Sequence, residues 1–133
     1  DPKTLFRAIH TWFREEPIID CICSFDAMVH VDLQYLIVYW LTAMETLRIG
    51  GKLCMTLGDV TSDKGFNHLV NAIPYVYPYQ GRASAQFHWL SPDLVRAVLG
   101  RLGFSVEFAP TRADMHLVAT LNERMPIKWG WRK

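Results

Sequence analysis

The sequence predicts an α/β domain in which an open β-sheet is flanked by helices. Residues Ile18 to Ser24 form a short, nearly continuous apolar run, which is typical of a strand in a parallel sheet. A stretch with helical periodicity and the pair Gly50-Gly51 follow. A second strand-like run then begins at Lys52. Near the end of the chain, two alternating runs lie so close together that they must pair antiparallel.

Size and composition indicate one domain that spans residues 1–133. The chain is 50% hydrophobic and 20% charged, with 14 basic against 13 acidic residues, so disorder and a nucleic-acid partner are both disfavoured. Because no stretch is long and apolar enough to span a bilayer and no secretory pattern opens the chain, we expect a soluble, cytoplasmic protein without a membrane partner. A chain that begins with Asp1 instead of Met also suggests a processed or partial polypeptide.

The first half of the chain predicts a strand, a crossover helix and a parallel strand. Residues 1–17 read as an amphipathic helix, and the strand Ile18 to Ser24 should be covered on both faces. Asp32 is placed to cap the next helix, which we expect to end at Gly50-Gly51. A connection of this length between two strands implies a right-handed parallel crossover into a strand that begins at Lys52.

The second half predicts two helices and an antiparallel hairpin. A short helix should follow Lys64 and end at Pro74, and the aromatic stretch 75–79 reads as an ordered loop or lid. Ser91 is a helix cap followed by a first-turn proline, and Gly103 ends that helix. Alternating strands follow, and residues 122–133 are expected to form a tail.

Three cysteines, Cys21, Cys23 and Cys54, lie inside apolar, strand-like runs. Their odd number and their surroundings favour reduced, buried thiols of an intracellular protein. A metal site is the less favoured interpretation, because neither a Cys-x-x-Cys pair nor a second ligand cluster accompanies them. We therefore predict no metal ligand in the chain.

The order of several motifs resembles the C-terminal half of a class I S-adenosylmethionine-dependent methyltransferase. In that family the fourth strand and its loop, the turn into the fifth strand, and the final helix and strand carry characteristic residues. The residues that match these motifs are Asp20, Ser24-Phe25-Asp26, His30-Val31, Leu47-Arg48-Ile49-Gly50-Gly51, Ser91-Pro92-Asp93 and Gly103-Phe104.

The resemblance implies a partial Rossmann-like methyltransferase sheet. The family's strand order is 3-2-1-4-5-7-6, and this chain would supply strands 4-5-7-6 with the last hairpin antiparallel. The glycine-rich turn and the acidic residue that hold S-adenosylmethionine in the family are absent, so the full cofactor pocket is not encoded here. The strand 18–24 would then expose its edge, and we expect a missing N-terminal segment or a second copy in a homodimer to cover it.

The segment Ser24 to Asp32 is the candidate ligand site, since open α/β sheets bind ligands beyond the carboxyl ends of their strands. By resemblance, Ser24 and Phe25 contact the cofactor, and Asp26 orients a bound group. Asp26 as the cap of a turn is an equally weighted alternative. His30 could act as a general base or as a donor to substrate, or it could instead fix the shape of the loop.

Two further residues are candidate substrate ligands. Asp59 follows the second parallel strand, and His88 precedes the Ser91 cap. The resulting hypothesis is methyl transfer to a small-molecule acceptor. The alternative is a non-catalytic methyltransferase-like module that dimerises or binds a partner through its exposed strand. A hydrolase is disfavoured because the Gly-x-Ser-x-Gly motif is absent.

Overall fold

A computed structural model describes residues 19–76, 87–109 and 114–127, together with Thr4 and Ala8. The described helices are α1 (Leu33–Thr46), α2 (Asp63–Val76) and α3 (Pro92–Arg101), and a 3-10 turn covers Met28–His30. The described strands are β1 (Ile19–Ser24), β2 (Leu47–Asp59), β3 (Trp89–Leu90), β4 (Phe104–Ala109) and β5 (Asp114–Leu121).

The strands form one sheet in the order β1-β2-β5-β4, and the short β3 pairs with the end of β2. β1 and β3 run parallel to β2, whereas β5 runs antiparallel to both β2 and β4. The predicted parallel crossover and the predicted antiparallel hairpin are both confirmed. This order also equals the expected 4-5-7-6 arrangement.

Helix α1 begins at the predicted cap and packs on the sheet. The Oδ1 atom of Asp32 accepts hydrogen bonds from the backbone N–H groups of Gln34 at 2.9 Å and Tyr35 at 3.1 Å. Trp40 is fully buried, and its Nε1–H donates to Met55 Sδ at 3.2 Å. The apolar stripe of this helix therefore lies on β2, as helical periodicity requires.

The end of α1 differs from the prediction. The helix stops at Thr46, and β2 begins at the next residue instead of at Lys52. The guanidinium of Arg124 donates to the carbonyl of Met44 at 3.2 Å and also to the carbonyl of Leu47. A side chain distant in sequence thus satisfies the carbonyls at the end of the helix.

Gly50 therefore does not terminate a helix. It has a φ of 82° within an irregular part of β2. The register there shifts from Ile19 opposite Leu47 to Cys21 opposite Lys52, so β2 carries extra residues that bulge. The positive φ explains why glycine occupies this position.

Helix α3 forms as its motif predicts. Ser91 Oγ accepts the N–H of Leu94 at 3.3 Å, and Pro92 occupies the first turn. Gly103, with a φ of 88°, follows the helix in the left-handed conformation that favours glycine. Val95 and Leu99 are fully buried and belong to the same apolar core as α1.

One face of the sheet carries this core, and the other is much more open. On the core face, alternate residues of β2 and β5 are buried. They are Leu53, Met55, Leu57, Met115, Leu117, Ala119 and Leu121. On the opposite face Lys52 is exposed and Cys54 is half-buried.

The prediction that β1 is covered on both faces is therefore wrong. Cys21 and Cys23 are exposed, and Cys54 is only half-buried, so the expected burial of the three thiols is also wrong. The physical reason is the position of β1 at the edge of the described sheet, on a face that neither α1 nor α3 covers.

Helix α2 extends beyond its predicted end. It continues to Val76 with Pro74 inside its last turns, so residues 75–76 are helical and are not part of a loop. Pro74 cannot donate a hydrogen bond to the carbonyl four residues earlier, and only two helical residues follow it. The rest of the proposed aromatic lid, residues 77–79, lies outside the described residues.

Residues 122–127, assigned to the tail by the sequence, pack against the domain. The N–H of Asn122 donates to the carbonyl of Gly103 at 2.9 Å, and Met125 and Ile127 contact the core. The predicted helix over residues 1–17 lies outside the described residues except for Thr4 and Ala8, which are helical. Among the helices that the structure describes, none combines the length and apolar character needed to cross a membrane.

Candidate functional site

The loop that follows β1 presents the residues singled out by the sequence. Ser24 is half-buried at the end of the strand, and Phe25 is 60% exposed beyond it. Asp26 has a φ of 57°, an unusual conformation for a residue with a Cβ atom. Val29 is 3% exposed and anchors the 3-10 turn in the domain.

A pocket of about 310 Å³ lies beside this loop. Its lining residues come from the loop, from the first turns of α1 and from the segment before β3, and they are His30, Val31, Asp32, Tyr35, Tyr39 and His88. The N–H of His88 donates to the carbonyl of Val29 at 2.7 Å, which joins the two segments. The structure thus brings together the predicted residues His30 and His88.

Aromatic rings fix one side of this region. The rings of His30 and Phe87 meet edge to face with centroids 5.1 Å apart. Phe87 also contacts His68 of α2 at 4.6 Å and Trp89 at 5.3 Å between centroids. These contacts orient the imidazole of His30, since edge-to-face and tilted ring pairs are favourable at such distances.

The chain passes close to these rings at the end of β2, where Gly58 has no side chain. A Cβ atom at this position would lie 3.3 Å from a ring atom of Trp89 and 3.5 Å from one of Phe87. Glycine therefore allows the strand to approach the aromatic group closely.

Asp59 occupies a turn and does not line the pocket. Its Oδ1 atom accepts the backbone N–H of Thr61 at 2.9 Å and the Thr61 hydroxyl at 2.6 Å. The Ser62 hydroxyl donates to the Asp59 carbonyl at 3.1 Å and accepts the N–H of Gly65 at 2.9 Å. These bonds give Asp59 a structural role at the start of α2, and its role in binding substrate stays a prediction.

Sequence reasoning did not single out the two tyrosines of the pocket. Tyr35 and Tyr39 lie four residues apart on α1, so they share one helix face just after the Asp32 cap. That spacing next to a strand-end loop could have identified them. Ser24, Phe25 and Asp26 stand in the same loop but do not line the pocket.

The pocket presents several polar ring groups to a small molecule. Two imidazoles and two phenol groups line a single concave site. A neutral imidazole can accept a proton from a bound hydroxyl or amine. The tyrosines offer hydroxyl groups and flat apolar surface to the same ligand.

Solved structures with the same architecture include two methyltransferases. The chain is 14% identical to magnesium protoporphyrin IX methyltransferase from Synechocystis PCC 6803, determined with bound SAH, and the TM-score is 0.54. It is 13% identical to an O-methyltransferase family protein from Burkholderia thailandensis, with a TM-score of 0.56. The fold is that of the C-terminal half of a class I methyltransferase.

The methyltransferase fold is present here only in part. The alignments cover 80% and 86% of this chain but 47% and 32% of the two neighbours. A possible exported protein from Bordetella parapertussis has a TM-score of 0.53 at 15% identity, over 79% of this chain and 39% of its own. No protein-family model and no curated protein matches the chain.

Proposed function

We propose that the chain forms the acceptor-binding part of an S-adenosylmethionine-dependent methyltransferase that acts on a small molecule. The observation that carries this proposal is the pocket of His30 and His88 beyond the carboxyl end of β1. This is where open α/β sheets bind their ligands. The methyltransferase fold of the neighbours supports the same reading.

Two residues of this chain fit one side of the cofactor. The ring of Phe25, exposed at the end of β1, offers an apolar face on which a purine can stack, and Ser24 adds a hydroxyl group. The glycine-rich turn that holds S-adenosylmethionine in the family does not occur in the sequence, so the rest of the cofactor site is supplied by other residues. When bound, S-adenosylmethionine supplies an activated methyl group.

In this proposal the pocket residues position the acceptor and take its proton. Methyl transfer depends mainly on holding the two reacting atoms in line, so binding geometry supplies much of the rate. A ring nitrogen of His30 accepts the proton of the acceptor's hydroxyl or amine group, while His88 and the tyrosines hold its body. Asp26, in its strained turn conformation, orients the loop that separates the cofactor side from this pocket.

The outer edge of β1 is the proposed contact with the remaining sheet. Within the described part of the chain, β1 pairs with β2 on one side and with no strand on the other. An unpaired edge exposes backbone donors and acceptors that another strand can satisfy. We propose that further strands, from the same polypeptide or a second copy, add there in a cytoplasmic protein that keeps its thiols reduced.

Calorimetry with SAH tests the proposal. The 133-residue chain and the complete product of the reading frame that encodes it are titrated side by side. We expect micromolar affinity for the complete product and none for the chain alone. Absence of binding by the complete product would overturn the methyltransferase proposal, whereas micromolar binding by the chain alone, shown to be monomeric by light scattering, would overturn the need for further strands.

Variants of the complete product separate the cofactor side from the acceptor side. Phe25→Ala should weaken SAH binding about 10-fold, equivalent to about 1.4 kcal/mol. His30→Ala should leave SAH affinity unchanged, because His30 faces the acceptor pocket. Ile49→Ala is the matched control, since Ile49 is an exposed apolar residue in the irregular start of β2.

The open edge of β1 also favours a second function, a non-catalytic module that assembles through this strand. Size-exclusion chromatography with light scattering distinguishes the two. A stable dimer of the chain, combined with no SAH binding by the complete product, would support the module. A monomeric chain whose complete product binds SAH would exclude it.

A further inference from the structure

The structure gathers three thiols on the open face of the sheet. Cys21 and Cys23 lie two residues apart on β1, so their side chains point to the same face. Cys54 of β2 lies opposite Cys23 in the parallel register. The Sγ atom of Cys21 is 3.3 Å from that of Cys23 and 4.0 Å from that of Cys54, and the three sulfur atoms all lie within 4.8 Å of one another.

These separations are those of ligands that share a metal ion. Zinc binds thiolate sulfur at about 2.3 Å in tetrahedral geometry, which places two sulfur ligands about 3.8 Å apart. The measured separations, from 3.3 Å to at most 4.8 Å, bracket this value. Small side-chain rotations are therefore enough to place one ion at bonding distance from all three sulfur atoms.

We propose that Cys21, Cys23 and Cys54 together bind one Zn²⁺ ion. Three Zn–S bonds form as three S–H protons pass to solvent, and the fourth tetrahedral position stays open to water or a further ligand. Soft thiolate ligands select zinc over the harder magnesium and calcium ions. The exposure of Cys21 and Cys23 gives the ion a path to the site.

The positive charge of Lys52 favours the binding of Zn²⁺ by the three thiolates. Three thiolates and one Zn²⁺ ion carry a net charge of about minus one, by simple addition of their formal charges. Lys52, two residues before Cys54, interacts electrostatically with the Cys54 thiol. Its ammonium group also donates to Thr120 Oγ1 at 2.6 Å, which holds the positive charge on this face. The cation can thus offset the charge of the complex.

Zinc titration of the reduced, chelator-treated chain tests this site. Competition with a chromophoric chelator should give one Zn²⁺ per chain with a dissociation constant below about 1 μM. Cys21→Ser and Cys54→Ser should each weaken binding by at least about 100-fold, because each removes a direct ligand. Val118→Ala should leave the affinity unchanged, since Val118 lies opposite Cys54 on β5 and neither valine nor alanine offers a ligand atom.

A measurement on the unaltered chain avoids any dependence on how the variants fold. Cd²⁺ replaces zinc at thiolate sites, and its sulfur-to-metal absorption should rise to a plateau at one equivalent. Failure to bind Zn²⁺, lack of the Cd²⁺ band, or full affinity in the folded Cys21→Ser and Cys54→Ser chains would each overturn the proposal.

Discussion

Gly65 is a residue at which a single added carbon atom should be strongly destabilising. It lies at the start of α2, where a Cβ atom would come within 1.7 Å of the Asp59 carbonyl oxygen. Gly65→Ala should therefore lower the free energy of unfolding by about 2–3 kcal/mol, because the backbone cannot move away from β2 without disturbing the turn. Urea denaturation measures the change.

Gly100 provides the matched control for this substitution. No atom lies within 4 Å of a Cβ built there, and the residue is inside α3. Gly100→Ala should leave the protein as stable or more stable by about 0.5 kcal/mol, because alanine favours helix. Equal losses of stability in the two variants would show that Gly65 is not in close contact with Asp59.

The thiol of Cys21 should react unusually slowly near neutral pH. Its hydrogen bond with the Cys23 sulfur, then desolvation and the Cys54 thiol, raise its pKa to about 12. Since only the thiolate is nucleophilic, alkylation of the metal-free chain by iodoacetamide should keep accelerating above about pH 10, where an ordinary cysteine has nearly levelled off. Peptide mass spectrometry across this pH range follows Cys21 alone.

Cys23→Ser supplies the comparison. Removing the Cys23 sulfur eliminates the largest contribution to the raised pKa of Cys21. The alkylation profile of Cys21 should then move toward lower pH. A profile that reaches its plateau by about pH 10 in the unaltered chain would contradict the assigned hydrogen bond.

At the scale of elements, the N-cap of α1, Asp32, both stabilises the helix and lines the pocket. Asp32 accepts two backbone N–H groups at the helix start and also lines the pocket. Asp32→Ala should cost about 1 kcal/mol of unfolding free energy, because both N–H groups lose their acceptor. Chemical denaturation is again the measurement.

Asp32→Asn separates capping from charge. Asparagine caps helices about as well as aspartate, so this variant should keep nearly the full stability. If the asparagine variant were as unstable as the alanine variant, the negative charge and not the hydrogen bonds would account for the effect of Asp32.

The two ends of α1 show what local sequence can predict. The start depends on the Asp32 side chain, which accepts the N–H groups of Gln34 and Tyr35, and the sequence predicted it correctly. The end depends on Arg124, whose guanidinium bonds to the carbonyls of Met44 and Leu47. Because Arg124 is remote in sequence, the local pattern favoured the Gly50-Gly51 pair as the exit, and that prediction was wrong.

The positions of the candidate site residues could likewise be predicted only in part. The motif placed His30 in the strand-end loop, and the fold brought His88 beside it through the bond between the His88 N–H and the Val29 carbonyl. Asp59, chosen on its position after a strand, instead bonds to Thr61 within its own turn. Short-range hydrogen bonds fix where the Asp59 carboxylate lies, and the roles of His30, His88 and Asp59 in binding substrate stay predictions.

At the scale of the whole molecule, strand position should control local stability. β2 and β5 each pair with strands on both sides, whereas β1 has one strand neighbour among the described residues. In native-state hydrogen exchange, amides of β2 and β5 should exchange slowest and those of β1 markedly faster, since an edge strand can detach without breaking the core.

Mass spectrometry of the exchanged peptides measures these differences in amide exchange rate between the strands. β4, which is also a strand with one described neighbour, packs against α3 and serves as an internal comparison. Protection in β1 equal to that in β2 would mean that its outer edge is paired in solution, and light scattering would then show whether a second copy provides the pairing.

The sequence by itself determined the elements and their order: the apolar run of β1, the capped starts of α1 and α3, and an antiparallel pair at the end of the sheet. These depend on residues close together in the chain, so their patterns can be recognised from the sequence alone. Only the tertiary structure decided which face of the sheet is covered, and therefore that Cys21, Cys23 and the half-buried Cys54 form a partly exposed cluster and not part of the core. Coverage of a face depends on how distant elements pack together, and no local pattern specifies it.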